Sequence, residues 1–146
     1  MWLYYGKPVQ SIEDLPDYIQ LFGFCYKITN LKTSAIYIGK KNFFSSRKKK
    51  LSKKELSTDK RKKTYKIVTA ESDWRTYWGS NKQLQEDVQQ LGEHSFSREI
   101  LELAKTKKFL TYLELKYQFI FNVLGQTSYN GNILGRFYSR DLEYSN

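Results

Sequence analysis

At 146 residues the chain has the length of one domain and can bury a core without covalent staples. Its formal net charge of +10 favours a polyanionic partner, its one cysteine, Cys25, rules out an intrachain disulfide partner, and no apolar run is long enough to cross a bilayer. The opening "MWLYYGKPVQ" lacks the basic-then-apolar plan of a signal peptide, so the expectation is a soluble, cytoplasmic protein.

Residues 1–21 are an aromatic lead-in in which Ser11 is a candidate helix cap before an acidic first turn. "FGFCYKITN" (22–30) alternates as a strand does, "LKTS" is a turn and "AIYIG" a returning strand, so a hairpin is predicted. Tyr26 and Tyr37, eleven residues apart, are expected to pair directly across it and share one face. From Lys40 to Lys66 thirteen Lys or Arg face only Glu55 and Asp59, which leaves the rest of the chain near neutral. This block lacks the apolar face of a membrane-surface helix. Its second half shows no clear periodicity and reads as a solvated loop or a phosphate-tracking segment. "TYKIVTAES" is a short strand or an extended connection. "SNKQLQEDVQQLG" is a helix, with Ser80 and Gln83 as a capping box, Leu84, Val88 and Leu91 on one face, and Gly92 as its stop. "SFSREILEL" is a third strand. "KKFLTYLELKYQFIFNVLG" is a long helix ending near Gly125, apolar around most of its circumference and so expected to be largely buried. The tail is turn-rich. The order predicts an α/β (α+β) domain with a mainly antiparallel three-stranded sheet flanked by helices. It reads as one domain over 1–146, with a basic insertion at about 45–66 and a C-terminal extension at about 132–146.

"FCY" at 24–26, "YIG" at 37–39, Arg47, the glutamate in "LTYLELKYQFI" and the asparagine in "SYNGN" stand in the order and spacing of the GIY-YIG endonuclease signature. The chain resembles that family over about 22–132, and "DWRTYWGSNKQL" is similar to its phage-type, homing-endonuclease-like members. The resemblance implies an endonuclease that hydrolyses the phosphodiester bonds of duplex DNA, encoded by a phage or mobile element. It implies Tyr26, Tyr37, Arg47, Glu114 and Asn130 as the catalytic set, with Arg47 on a helix after the hairpin. It also implies Glu114 as the ligand of Mg²⁺, with Mn²⁺ as the alternative. The chain departs from the pattern where many members carry a histidine one turn after the arginine. Leu51 stands there, and the only histidine, His94, falls in a helix-to-strand loop.

The chemistry suits these residue types. A phenol titrates near pH ~10 and needs nearby cations to become a phenolate at neutral pH. Lys40, Lys41, Arg47 and a metal ion are candidates to supply them, and a guanidinium fork grips a phosphate. Glu114, among Leu110, Leu113, Leu115 and Tyr117, needs a cation, and one carboxylate with waters and phosphate oxygens suits Mg²⁺. Lys48, Lys49, Lys50, Lys53, Lys54, Lys60, Arg61, Lys62 and Lys63, with Lys40 and Lys41, are the candidate nucleic-acid contacts. Plainer readings stand beside these. Strand tyrosines are commonly core aromatics, a helix glutamate commonly snorkels, and Trp74, Tyr77 and Trp78 either stack on bases or pack a core. The alternative function is a non-catalytic basic nucleic-acid-binding protein on the same scaffold, and an RNA-associated protein is a third.

Overall fold

The computed structural model describes residues 1–58 and 64–142. The candidate contacts Lys60, Arg61, Lys62 and Lys63 lie outside the described residues. Strands β1 (Trp2–Tyr4), β2 (Lys7–Val9), β3 (Gly23–Asn30), β4 (Ile36–Asn42) and β7 (Phe96–Ala104) form one sheet in the order β2-β1-β7-β3-β4. The pair β1–β7 is parallel, and the others are antiparallel. The predicted three-stranded core, β7-β3-β4, is therefore extended by the lead-in. Its Ser11 caps no α-helix. The Asp14 carboxylate instead accepts bonds from the Gln10 and Ser11 amides around a single 3-10 turn. Trp2 sends the lead-in to the sheet. Its ring is buried, and its indole N–H donates to the Trp74 carbonyl at 2.7 Å.

Alternation along β3 builds both faces of the sheet. Phe24, Tyr26 and Ile28 point to one side, where they meet Trp2, Phe43 and Trp74, with Leu84 and Val88 of helix α2 (Lys82–Leu91). Cys25 points to the other, where Ile38 of β4 and Leu110 and Leu113 of helix α3 (Lys107–Ile120) complete a second cluster. Cys25 is thus a small buried strand residue, its thiol 3.7 Å from the Leu113 carbonyl and its pKa pushed up by burial. Helix α3 is capped by Thr106, whose hydroxyl accepts from the Phe109 amide. It ends at Ile120, more than a turn before Gly125. It buries one face only, since Phe109, Tyr112, Phe119 and Ile120 are exposed. Leu110, Leu113 and Gln118 are its buried residues, with Leu115 and Tyr117 partly buried against the same cluster, so the all-round burial expected from its composition is not realised.

The basic block takes a form that its charge pattern concealed. Strands β5 (Phe44–Lys50) and β6 (Tyr65–Glu71) pair antiparallel as a separate two-stranded ribbon, with the short helix α1 (Lys53–Thr58) after β5. Cations on both faces mask its period of two.

Candidate active site

The β3–β4 register sets Tyr26 opposite Gly39 and Tyr37 opposite Ile28. The two tyrosines are therefore diagonal neighbours on one face, not a direct pair. Their ring centroids are 6.1 Å apart. The offset gives Gly39 its reason. A Cβ there would lie 2.5 Å from the Tyr26 hydroxyl oxygen and 2.7 Å from the ring carbon bearing it, so the ring lies across the glycine.

Tyr26 is 1 % exposed and packs against Trp2, Phe24 and Tyr77. Burial, then the neighbouring phenols Tyr37 and Tyr77, hold its pKa well above the ordinary 10. Tyr37 is half-buried, and its hydroxyl is 3.1 Å from Ser80 Oγ. Burial raises its pKa as well, while the bond to Ser80 opposes the shift. Ser80 is available because it does not cap α2. Asn81 does, its side-chain oxygen accepting from the Leu84 amide at 2.9 Å. The capping box expected at Ser80 and Gln83 does not form: Asn81 is the cap, and Gln83 donates to Asp87 instead.

Tyr37 and Ser80 line a cavity of about 360 Å³ at the outer edge of β4, with Glu114, Gln118, Asn130 and Asn132 among its other walls. Tyr37 comes from one face of the sheet. Glu114 comes from α3 on the opposite face, and the two reach the cavity past the edge. Glu114 is half-buried and makes no ion pair among the described residues. Burial raises its pKa, partly countered by the positive charge of Lys40. Lys40 Nζ is anchored at 3.0 Å to Thr111 Oγ1, three residues before Glu114 on the same helix.

Asn130 does not present its amide to the cavity as a spare group. Its Oδ1 accepts from the Ile38 amide and its Nδ2 donates to the Ile38 carbonyl, both at 2.9 Å. A side-chain amide thus pairs with the β4 backbone as a neighbouring strand would, between Tyr37 and Gly39. Gln118 reaches the same carbonyl at 3.5 Å.

Arg47 is not on a helix. It is an exposed residue of β5, opposite Val68, and it does not line the cavity. Leu51, expected one helical turn after Arg47, instead follows the end of β5 and is buried, and His94 lies in a 3-10 turn (Glu93–Ser95). Trp74 is buried in the core, which removes it as a base-stacking platform.

Three features were missed in the sequence. Lys41 Nζ pairs with Asp73 at 2.6 Å and lies 4.0 Å from the centre of the Tyr77 ring, tying β4 to the segment beside Tyr26. Arg98, 5 % exposed, is sandwiched between Trp2 and Trp78 at 4.6 and 4.2 Å and donates to the Tyr77 carbonyl at 2.7 Å. Burial lowers its pKa to about 10. Lys107 joins Lys40 and Lys41 in a second cleft of about 580 Å³ at the root of the ribbon, where Ser45, Ser46 and Ser72 add hydroxyls. The segment "FSREILEL" shows the arginine but not its tryptophan partners, which come from residues 2 and 78. Lys107 is silent because it belongs to an ordinary-looking first helical turn.

No group of three or more His, Cys, Asp or Glu capable of holding a metal exists among the described residues, so an all-protein metal cage is not available there. A lone half-buried carboxylate lining a polar cavity fits a hydrated Mg²⁺, which keeps several waters. Among the described residues, no helix is long and apolar enough to cross a membrane. The chain matches, over residues 2–140, the family model described as "Putative endonuclease segE, GIY-YIG domain". No curated protein and no solved structure gives a significant match.

Proposed function

The chain belongs to the GIY-YIG endonuclease family of the segE type, and from that membership we propose that it is a metal-dependent endonuclease of duplex DNA. On this reading it is a single nuclease domain with a basic insertion, of phage or mobile-element origin, working in the host-cell cytoplasm. The observation that carries the reading is the cavity at the β4 edge, lined by Tyr37, Glu114 and Asn130 together.

Glu114 is the residue that would hold Mg²⁺, or Mn²⁺ in its place. When bound, the ion supplies positive charge to the developing phosphorane and acidifies a coordinated water. Tyr37, a neutral phenol at pH 7 held by Ser80, orients the attacking water from the side. Tyr26 supports Tyr37 from within the core, since a hydroxyl on a side chain with 1 % exposure does not reach a substrate. Asn130 is a positioning residue that fixes the backbone between Tyr37 and Gly39. Lys40, Lys41 and Lys107 hold the phosphates flanking the cut.

The test is nicking of supercoiled plasmid by the wild type and by Glu114→Ala, with Mg²⁺ and with EDTA. Metal-dependent nicking that disappears in the variant, with duplex binding kept, is the expected result. One observation favours a second reading, a non-catalytic DNA-binding protein: Arg47, expected in the catalytic set, does not line the cavity. Duplex binding by the wild type without nicking under any metal would establish that reading instead.

A further inference from the structure

The β5–β6 ribbon pairs only with itself, and every residue of β5 is exposed. A two-stranded ribbon alone is marginally stable in water. This one gains little by burying its faces, because β6 is also exposed except for half-buried Val68. Its faces are chemically distinct. One carries Arg47 and Lys49 on β5, across from Val68 and Lys66, with Ser45 and Ala70 nearer the root. The other carries Lys48 and Lys50. Lys66 is paired with Glu55, and Lys48 lies over the Tyr65 ring. Arg47 has no hydrogen-bond or ion-pair partner among the described residues. A guanidinium is thus displayed at the middle of a seven-residue strand, beside two small apolar side chains.

Size and charge select the occupant. Seven residues in a strand span roughly 23 Å, and two paired strands lie about 4.8 Å apart. With side chains such a ribbon fits the major groove of B-DNA, about 12 Å wide, and not the minor groove, about 6 Å wide. Arginine is the commonest reader of guanine O6 and N7, and small apolar side chains meet thymine methyls. The basic cleft with Lys40, Lys41 and Lys107 lies at the ribbon's root, so a duplex seated on the ribbon continues toward the β4 edge. We propose that the β5–β6 ribbon enters the major groove and that Arg47 reads a guanine edge there. Arg47 is then a specificity residue, not a member of the reacting set. This rests on the reading of the chain as a nuclease of duplex DNA.

The experiment cuts a pool of randomised duplexes with the full chain, sequences the products, and repeats the cutting on duplexes methylated at guanine N7. Wild type, Arg47→Gln and Lys48→Gln are compared, with matched circular dichroism spectra as the folding control. The wild type should prefer a guanine at one position, and N7 methylation there should block cutting. Arg47→Gln should flatten the preference at that position by roughly ten- to a hundredfold. Lys48→Gln should weaken binding to all sequences alike and leave the profile intact. Indifference to N7 methylation overturns the proposal. So does an unchanged profile in Arg47→Gln, or loss of all cutting in that variant with duplex binding kept, which would give Arg47 to the scissile phosphate. A wild type that binds no duplex removes the endonuclease reading, and this proposal with it.

Discussion

Glu114 and Tyr37 are two oxygen acids that share one cavity. Both pKa values are raised by burial, yet the phenol remains neutral at pH 7, while the carboxylate starts from a value near 4.5 and has Lys40 to favour its charge. The shift on Glu114 has a measurable sign. As pH rises past the unfolded-state value, the unfolded chain gives up this proton before the folded protein does, so stability falls across that window. The deficit persists above the folded-state value. Glu114→Gln has no such proton to lose. It should therefore melt above the wild type at pH 7 without metal and lose that advantage at pH 4. Mg²⁺ should raise the melting temperature of the wild type and leave that of the variant unchanged. Thermal melts at the two pH values, with and without Mg²⁺, check this. A variant no more stable than wild type at pH 7 would mean that the carboxylate is not strained. A metal response equal in both would place the ion elsewhere.

At the scale of elements, the site depends on how the edge of β4 is closed. An open strand edge carries unpaired amides and carbonyls. Here residues 127–130 run beside it. The Ile36 amide donates to the Thr127 carbonyl and the Tyr129 amide to the Ile36 carbonyl, and Asn130 takes over at Ile38. Asn130→Ala would leave both backbone groups of Ile38 without that partner. The expected loss is about 1–3 kcal/mol, read as a lower urea midpoint at unchanged slope, together with slower plasmid nicking because Tyr37 and Gly39 lose their anchor. Asn130→Asp keeps the acceptor and should fall between. A wild-type midpoint in Asn130→Ala would show that water replaces the amide at no cost. Legibility in the sequence follows the same elements. β3, β4 and β7 were readable because a buried sheet enforces alternation, and α3 because its apolar run is too long for a strand, although that run overstated its burial. The diagonal placement of Tyr26 and Tyr37 was not readable, since spacing along a hairpin does not fix register until the turn geometry is known. The clamp at Asn130 was hidden for a related reason: an asparagine pairing with a strand 92 residues away leaves no local pattern. The ribbon was half legible, in the short strand or extended connection read at "TYKIVTAES", and its other strand was hidden because it is exposed on both faces and no apolar period marks it.

At the scale of the whole molecule, charge and fold are divided between separate parts. The sheet with α2 and α3 supplies the two cores, while the excess positive charge is concentrated between residues 40 and 66. Among described residues, Arg47, Lys48, Lys49 and Lys50 lie on β5, and Lys40, Lys41 and Lys107 line the cleft at its root. Each cation that neutralises a phosphate releases counterions, so log affinity should fall linearly with log salt, with a slope near −0.9 per contact. If six or more of these cations engage a duplex, affinity should fall on the order of a thousandfold or more between 50 and 200 mM salt. Lys49→Gln and Lys50→Gln should each reduce the slope by about one. Neither residue packs into a core, so the melting temperature should stay near that of the wild type. Lys107→Gln should reduce the slope similarly although it lies outside the basic block, because the cleft and the ribbon would then track one backbone. Fluorescence anisotropy on a short labelled duplex across a salt series measures all three. A shallow wild-type slope would detach the basic block from DNA binding. A normal slope in Lys107→Gln would confine the DNA to the ribbon and leave the route to the β4 edge without its phosphate contacts.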